Sequence, residues 1–171
     1  MTIVEMPQPL GLFAGQLFDR GVEYLEAFEI LSGGGVRNYH PSYFLCAHSL
    51  ELFLKSFLAA SGVPKLKLRE PRNKKHHNLP VFLNECEALS IPEVADLKVF
   101  TSTIYSMNQD FDFRYPTNYN LLVPEPAICL RVLSALRDAI LPTIARERTY
   151  AHLQFAADTR HDKGKTVRWS D

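Results

Sequence analysis

His48, Glu51 and Lys55 stand three and four residues apart in the stretch Cys46 to Leu58. That spacing brings an imidazole, a carboxylate and an ammonium to one face of a helix, while apolar residues fill most of the remaining positions. The plain reading is a solvated stripe with a weak ion pair. The sharper reading is that Glu51 orients a cation brought from elsewhere in the chain. Arg114 is the best candidate, because it lies among tyrosines, Tyr115 beside it, in a loop stiffened by Pro116, and a guanidinium meets a carboxylate through a two-pronged fork.

A second constellation is Arg72-Asn73-Lys74-Lys75-His76-His77. An arginine neutralises a phosphate and a histidine exchanges protons near neutral pH, the minimum for metal-independent cleavage of RNA through its 2′-hydroxyl. Arg72 and His77 would be that catalytic pair, with Lys74 and Lys75 as phosphate contacts. The plain alternative is a solvated basic loop whose last residues cap the next helix, since Pro71 and Asn78 bracket it. Arg146 and His152 repeat the arginine-to-histidine theme, which shows how readily that spacing arises. His76, His77 and Cys86 match no usual ligand spacing, so no metal is expected. No cofactor motif is present either: Gly33 to Gly35 lacks the lysine and the strand-to-helix setting of a phosphate loop. The aromatic set Tyr105, Phe111, Phe113, Tyr115 and Tyr119 reads either as packing or as a surface that stacks bases.

With 171 residues, 46% of them hydrophobic, the chain can bury a core of its own, and one domain over 1–157 with a polar tail over 158–171 is expected. Nineteen basic residues balance nineteen acidic ones, so no global field draws the chain to nucleic acid or membrane. The distribution is uneven: Lys65 to His77 is basic and Asn84 to Asp112 acidic. Cys46, Cys86 and Cys129 are odd in number and far apart, which suits buried thiols in a reducing compartment. No run approaches the length of a membrane span and the start lacks the pattern of a secretory signal, so a cytoplasmic location without membrane contact is expected.

The elements that must position these groups read as helices. Leu12 to Leu31 recurs at helical spacing until the glycines at 33–35 stop it, and Pro41 opens a second helix running to about Ala60. A basic loop over residues 63 to 77 follows. Asn78 then caps a short third helix ending near Leu89, and Pro92 opens a fourth that fails near Asp110. Pro124-Glu125-Pro126 begins the fifth, with a kink or break at Pro142 and a further helical piece to about Ala157. No convincing strand is visible. The fold class is therefore all-α, an up-and-down antiparallel bundle of four to five helices. Helices one and two are apolar around much of their circumference, which favours a homodimer.

The stretch Ala47 to Leu58, then His77-Asn78-Leu79 followed by Leu83, then Phe113-Arg114-Tyr115-Pro116, resembles the HEPN family over about residues 15 to 142. The resemblance implies a dimeric helical bundle, frequently encoded beside a nucleotidyltransferase partner in toxin–antitoxin or defence systems. Many members are ribonucleases with an arginine and a histidine four to six residues apart, but usually on a late helix with a tyrosine following. Arg72 and His77 instead precede helix three, and the branch with an arginine-tyrosine-proline motif often lacks the nuclease pair. The leading expectation is a non-catalytic nucleotide- or RNA-binding and partner-docking module, with His48, Glu51, Lys55, Arg114 and Tyr115 as the binding constellation. The second expectation is a metal-independent ribonuclease using Arg72 and His77 on single-stranded RNA.

Overall fold

The computed structural model of the chain describes residues 3–34, 38–69, 78–115, 118–119, 121–161 and 165–170. The described part is mostly helical: α1 (Leu10–Gly33), α2 (Tyr39–Ala60), α3 (Lys65–Arg69), α4 (Leu79–Ala88), α5 (Leu97–Ser106) and α6 (Pro126–Asp158). Two short strands, β1 (Ile3–Pro7) and β2 (Thr166–Ser170), complete it.

Helix α2 is the centre. Leu50, Phe53, Leu54 and Leu58 are fully buried, and α1, α3, α4, α5 and α6 all pack on it. Its apolar circumference is therefore consumed within the chain. The serines on its buried faces are satisfied by carbonyls: Ser49 Oγ donates to Gly21 O at 2.8 Å and Ser56 Oγ to Phe53 O at 2.7 Å. By length and composition α2 also qualifies as a membrane-crossing helix, but 72% of that stretch is buried inside the molecule.

The pairing of α1 with α2 is antiparallel, because Phe18 meets Phe53 while Phe28 meets Tyr43. Close approach requires glycine. A Cβ at Gly21 would lie 2.8 Å from the Phe53 ring. On the other flank of α1, a Cβ at Gly11 would run into the backbone carbonyl of Glu147 and lie 2.9 Å from the Ala151 Cβ. Arg148 bonds Asp19 along the same seam, and Glu26 and Glu29 near the far end of α1 act on Arg137, ten residues before Glu147, so α1 is antiparallel to α6 as well.

Several expectations are corrected. Residues 65–69, read as loop, form one helical turn. The fourth predicted helix does not open at Pro92: its N-cap Asp96 holds a left-handed backbone (φ 64°), and regular helix begins only at Leu97. Pro142 does not break α6, which runs unbroken for 33 residues. Proline inside a helix costs about 3 kcal/mol, but its ring is exposed while Leu136, Ile140 and Ile144 on the opposite face are buried. Burial of three such side chains contributes more than that, at about 1.5–3 kcal/mol each.

The absence of strands is also corrected. β1 and β2 pair in parallel, Ile3 with Thr166 through Pro7 with Ser170. Residues 166–170 of the expected polar tail are thus a strand. Val4, Met6, Val167 and Trp169 are the more buried set, and Trp169 packs on Phe155 of α6 at 5.0 Å between ring centroids.

Gly11→Ala is expected to lower stability by about 1–2 kcal/mol, overpacking outweighing the helix propensity gained. Gly33→Ala, where an added Cβ meets nothing within 4 Å, is the control and should cost nothing. Urea denaturation of both variants measures the difference.

Candidate functional site

Glu51 projects from the exposed edge of α2 yet keeps only 6% of its side-chain surface. Lys55, one turn on, places Nζ 2.6 Å from Glu51 Oε1, in the favourable order with the acid nearer the helix N-terminus. Lys55 also lies 5.0 Å over the Phe82 ring of α4. The pair is therefore no solvated stripe. Held in a region of low dielectric, each charge depends on the other.

His48, one turn before Glu51, is framed by rings. Tyr24 of α1 meets it edge-on at 4.6 Å and Phe44 stacks beside it at 5.8 Å with 10° between the planes. Its Nδ1 is 4.0 Å from Glu51 Oε2.

Arg114 comes from the segment after α5, and its placement has a backbone cause. Phe111 is held at φ 64°, which costs a bulky residue about 1–3 kcal/mol. The resulting turn is closed by Phe111 N donating to Asn108 O (3.2 Å) and Arg114 N to Phe111 O (2.7 Å). The Asn108 side chain accepts from Phe113 N at 3.2 Å, and Phe113 plugs into the core against Tyr43. Tyr39 and Tyr43 donate to the carbonyls of Leu121 and Pro124 beyond the turn. Burial pushes both phenols above their ordinary range, so they remain neutral donors.

With Phe113 anchored, the Arg114 guanidinium lies over two rings, 4.9 Å from the centre of Phe44 and 5.4 Å from that of Phe111. Among the described residues its N–H groups make no hydrogen bond or ion pair. Phe44 is shared, so His48, Phe44, Arg114 and Phe111 form one column of successive contacts, rings about a single guanidinium. The expected fork from Arg114 to Glu51 is not formed; among the described residues Lys55 is a cation in contact with that carboxylate.

His48, Glu51 and Arg114 line one pocket, with Phe44, Tyr105, Asn108 and Leu79 as further walls. Its interior is about 20 Å³, room for a single water. Lys55 supports the wall without lining it. Tyr115, 64% exposed, stands on the far side of Arg114, where it lines a second hollow with His40 and Phe113. Of the remaining predicted groups, Arg72, Lys74, Lys75, His76, His77 and Pro116 lie outside the described residues. Asn78 does cap α4, its Oδ1 accepting from Val81 N at 3.3 Å. Cys86 is fully buried and donates to Leu54 O, so its thiol is engaged in the core. Cys46 and Cys129, which lie beside each other, are likewise buried.

Sequence reasoning missed Phe44, Tyr24 and Asn108. Phe44 carries a usable signal, since it precedes His48 by one helical turn. Nothing local marks Tyr24, which reaches the site only through the packing of α1 on α2. No protein-family model, curated protein or solved structure matches the chain.

Lys55→Ala leaves the Glu51 carboxylate without its closest cation and is expected to cost about 3 kcal/mol in urea unfolding. Replacing both, Glu51→Leu with Lys55→Met, should cost markedly less than Lys55→Ala alone.

Proposed function

We propose that the chain is a HEPN-like, non-catalytic nucleotide- or RNA-binding and partner-docking module on an up-and-down antiparallel bundle. The observation that carries this reading is the Arg114 guanidinium, held against two aromatic rings with its N–H groups uncommitted among the described residues. A planar cation held in this way is prepared for an in-plane oxyanion, and phosphate matches its donor spacing. Holding the rings in advance also lowers the ordering cost that a free arginine side chain would bear on binding.

The pocket admits one small group and no more. A phosphate oxygen fits that space, and the rest of a nucleotide would lie outside it against exposed rings such as Tyr115. The antiparallel packing of α1 with both α2 and α6 supports the bundle topology. A homodimer, or docking of a nucleotidyltransferase in a toxin–antitoxin or defence system, would use apolar surface, and α6 supplies it. Leu141, Tyr150 and Leu153 are 45%, 62% and 64% exposed on that helix.

Calorimetric titration with UMP and ATP tests the ligand assignment. Arg114→Ala should weaken binding at least tenfold while changing unfolding free energy by no more than about 0.5 kcal/mol. Arg114→Lys should not restore affinity, because an ammonium lacks the fork. Absence of binding to the wild-type protein at millimolar nucleotide, or equal binding by Arg114→Ala, would remove the proposal.

A further inference from the structure

All three thiols are fully buried, but their surroundings differ. Cys86 donates to Leu54 O, eight residues beyond Cys46 on α2 and therefore about 12 Å along that helix. Cys46 and Cys129 stand together. Cys46 hydrogen-bonds with Cys129, and Cys129 Sγ donates in turn to Pro124 O at 3.8 Å. The same carbonyl accepts from Tyr43 Oη at 2.6 Å, one turn before Cys46 on α2. A phenol and two thiols thus gather beside one backbone oxygen, where the segment after α5 runs into α6.

Burial pushes the Cys46 and Cys86 thiols well above their ordinary range. A thiol is a far poorer nucleophile than its thiolate, so neither reacts while the core is closed. Cys129 is placed differently. It is the fourth residue of α6, and Glu125, Ala127 and Ile128 just before it are exposed. Helix ends open more readily than helix interiors, and backbone N–H groups at a helix N-terminus favour a thiolate. Cys46 lies well inside α2 and is reached only through Cys129.

We infer that Cys46 and Cys129 are a reversible disulfide site, closed by exchange with a small disulfide such as glutathione disulfide when the first turn of α6 opens. The exchange has two steps. The Cys129 thiolate attacks one sulfur of glutathione disulfide, forming a mixed disulfide and releasing one glutathione thiolate. The Cys46 thiolate then attacks Cys129 Sγ, forming the bond between the two cysteines and releasing the second. The cysteines together lose two electrons, glutathione disulfide gains them, and the two thiol protons end on the two glutathiones.

The bond would tie α2 to the base of the segment that carries Arg114. Phe44, which lies under the guanidinium, precedes Cys46 by two residues, and Tyr39, Tyr43 and Phe113 already fasten this segment to α2. Oxidation makes the fastening covalent and so sets how freely the segment moves. The inference is independent of the ligand proposed for Arg114.

The folded protein, incubated with millimolar glutathione disulfide, quenched in acid, unfolded, alkylated and mapped by peptide mass, gives the test. The expected product is a link between Cys46 and Cys129 that dithiothreitol reverses, with Cys86 alone alkylated. Amide exchange at Cys129, whose N–H is bonded to Glu125 O, should slow at least tenfold in the oxidised chain. Cys46→Ala should stop at a mixed disulfide on Cys129, and Cys129→Ala should leave Cys46 reduced. The wild-type result decides the assignment even where a variant fails to fold. It is overturned if the wild-type chain keeps all three thiols over a day, if glutathione accumulates on Cys129 without a link, or if Cys86 is consumed as fast as Cys129, which would mark global unfolding as the route.

Discussion

Everything in this molecule is arranged around the burial of α2. A helix packed by neighbours on nearly every side must be apolar around its circumference, yet it must also satisfy whatever polar groups it retains. Hydroxyls on its buried faces do so through backbone carbonyls, as Ser49 does with Gly21. Glu51 is the costlier case, because an ionised carboxylate with so little solvent needs a cation in contact, and Lys55 provides it. The requirement fixes where polar chemistry can emerge. It emerges along the seam that α1, α4 and the turn after α5 leave open, and the aromatic column stands there.

That column shows how a loop can be as determinate as a helix. Arg114 is exposed by residue class, but its neighbour Phe113 is buried and its partner ring Phe111 sits in a left-handed conformation. Strain at Phe111 is offset by the turn it closes and by the side chains it aligns. The guanidinium is thereby positioned by two rings that come from separate parts of the chain.

Helical periodicity and end signals were enough to find α1, α2 and most of α6, and Asn78 announced the start of α4 through its side-chain chemistry. Where reading from sequence went astray, a distant contact had overruled a local preference. Pro142 argues for a break unless Ile140 and Ile144 are known to be buried. Pro92 argues for a helix start unless the left-handed backbone at Asp96 is known. The strands carry no local signal, being five residues each and paired with one another across nearly the whole chain. At the site, residue chemistry brought Arg114 and Glu51 to attention together, and they do share a pocket. Their mode of association was not legible, because it depends on Phe44 lying under a guanidinium from a turn 70 positions later in the sequence.

The parallel pairing of β1 with β2 has a mechanical consequence. In parallel strands, Ile3 and Ser170 lie at opposite ends of the two-strand ribbon. A pull applied between those two residues acts along the strands in opposite senses, so all five registered positions are loaded at once and none can peel away first. Antiparallel pairing of the same strands would have let them open one bond at a time, like a zip. Although short, the ribbon is oriented as a shear clasp, and it shields α1 and α6 from tension until the whole clasp yields.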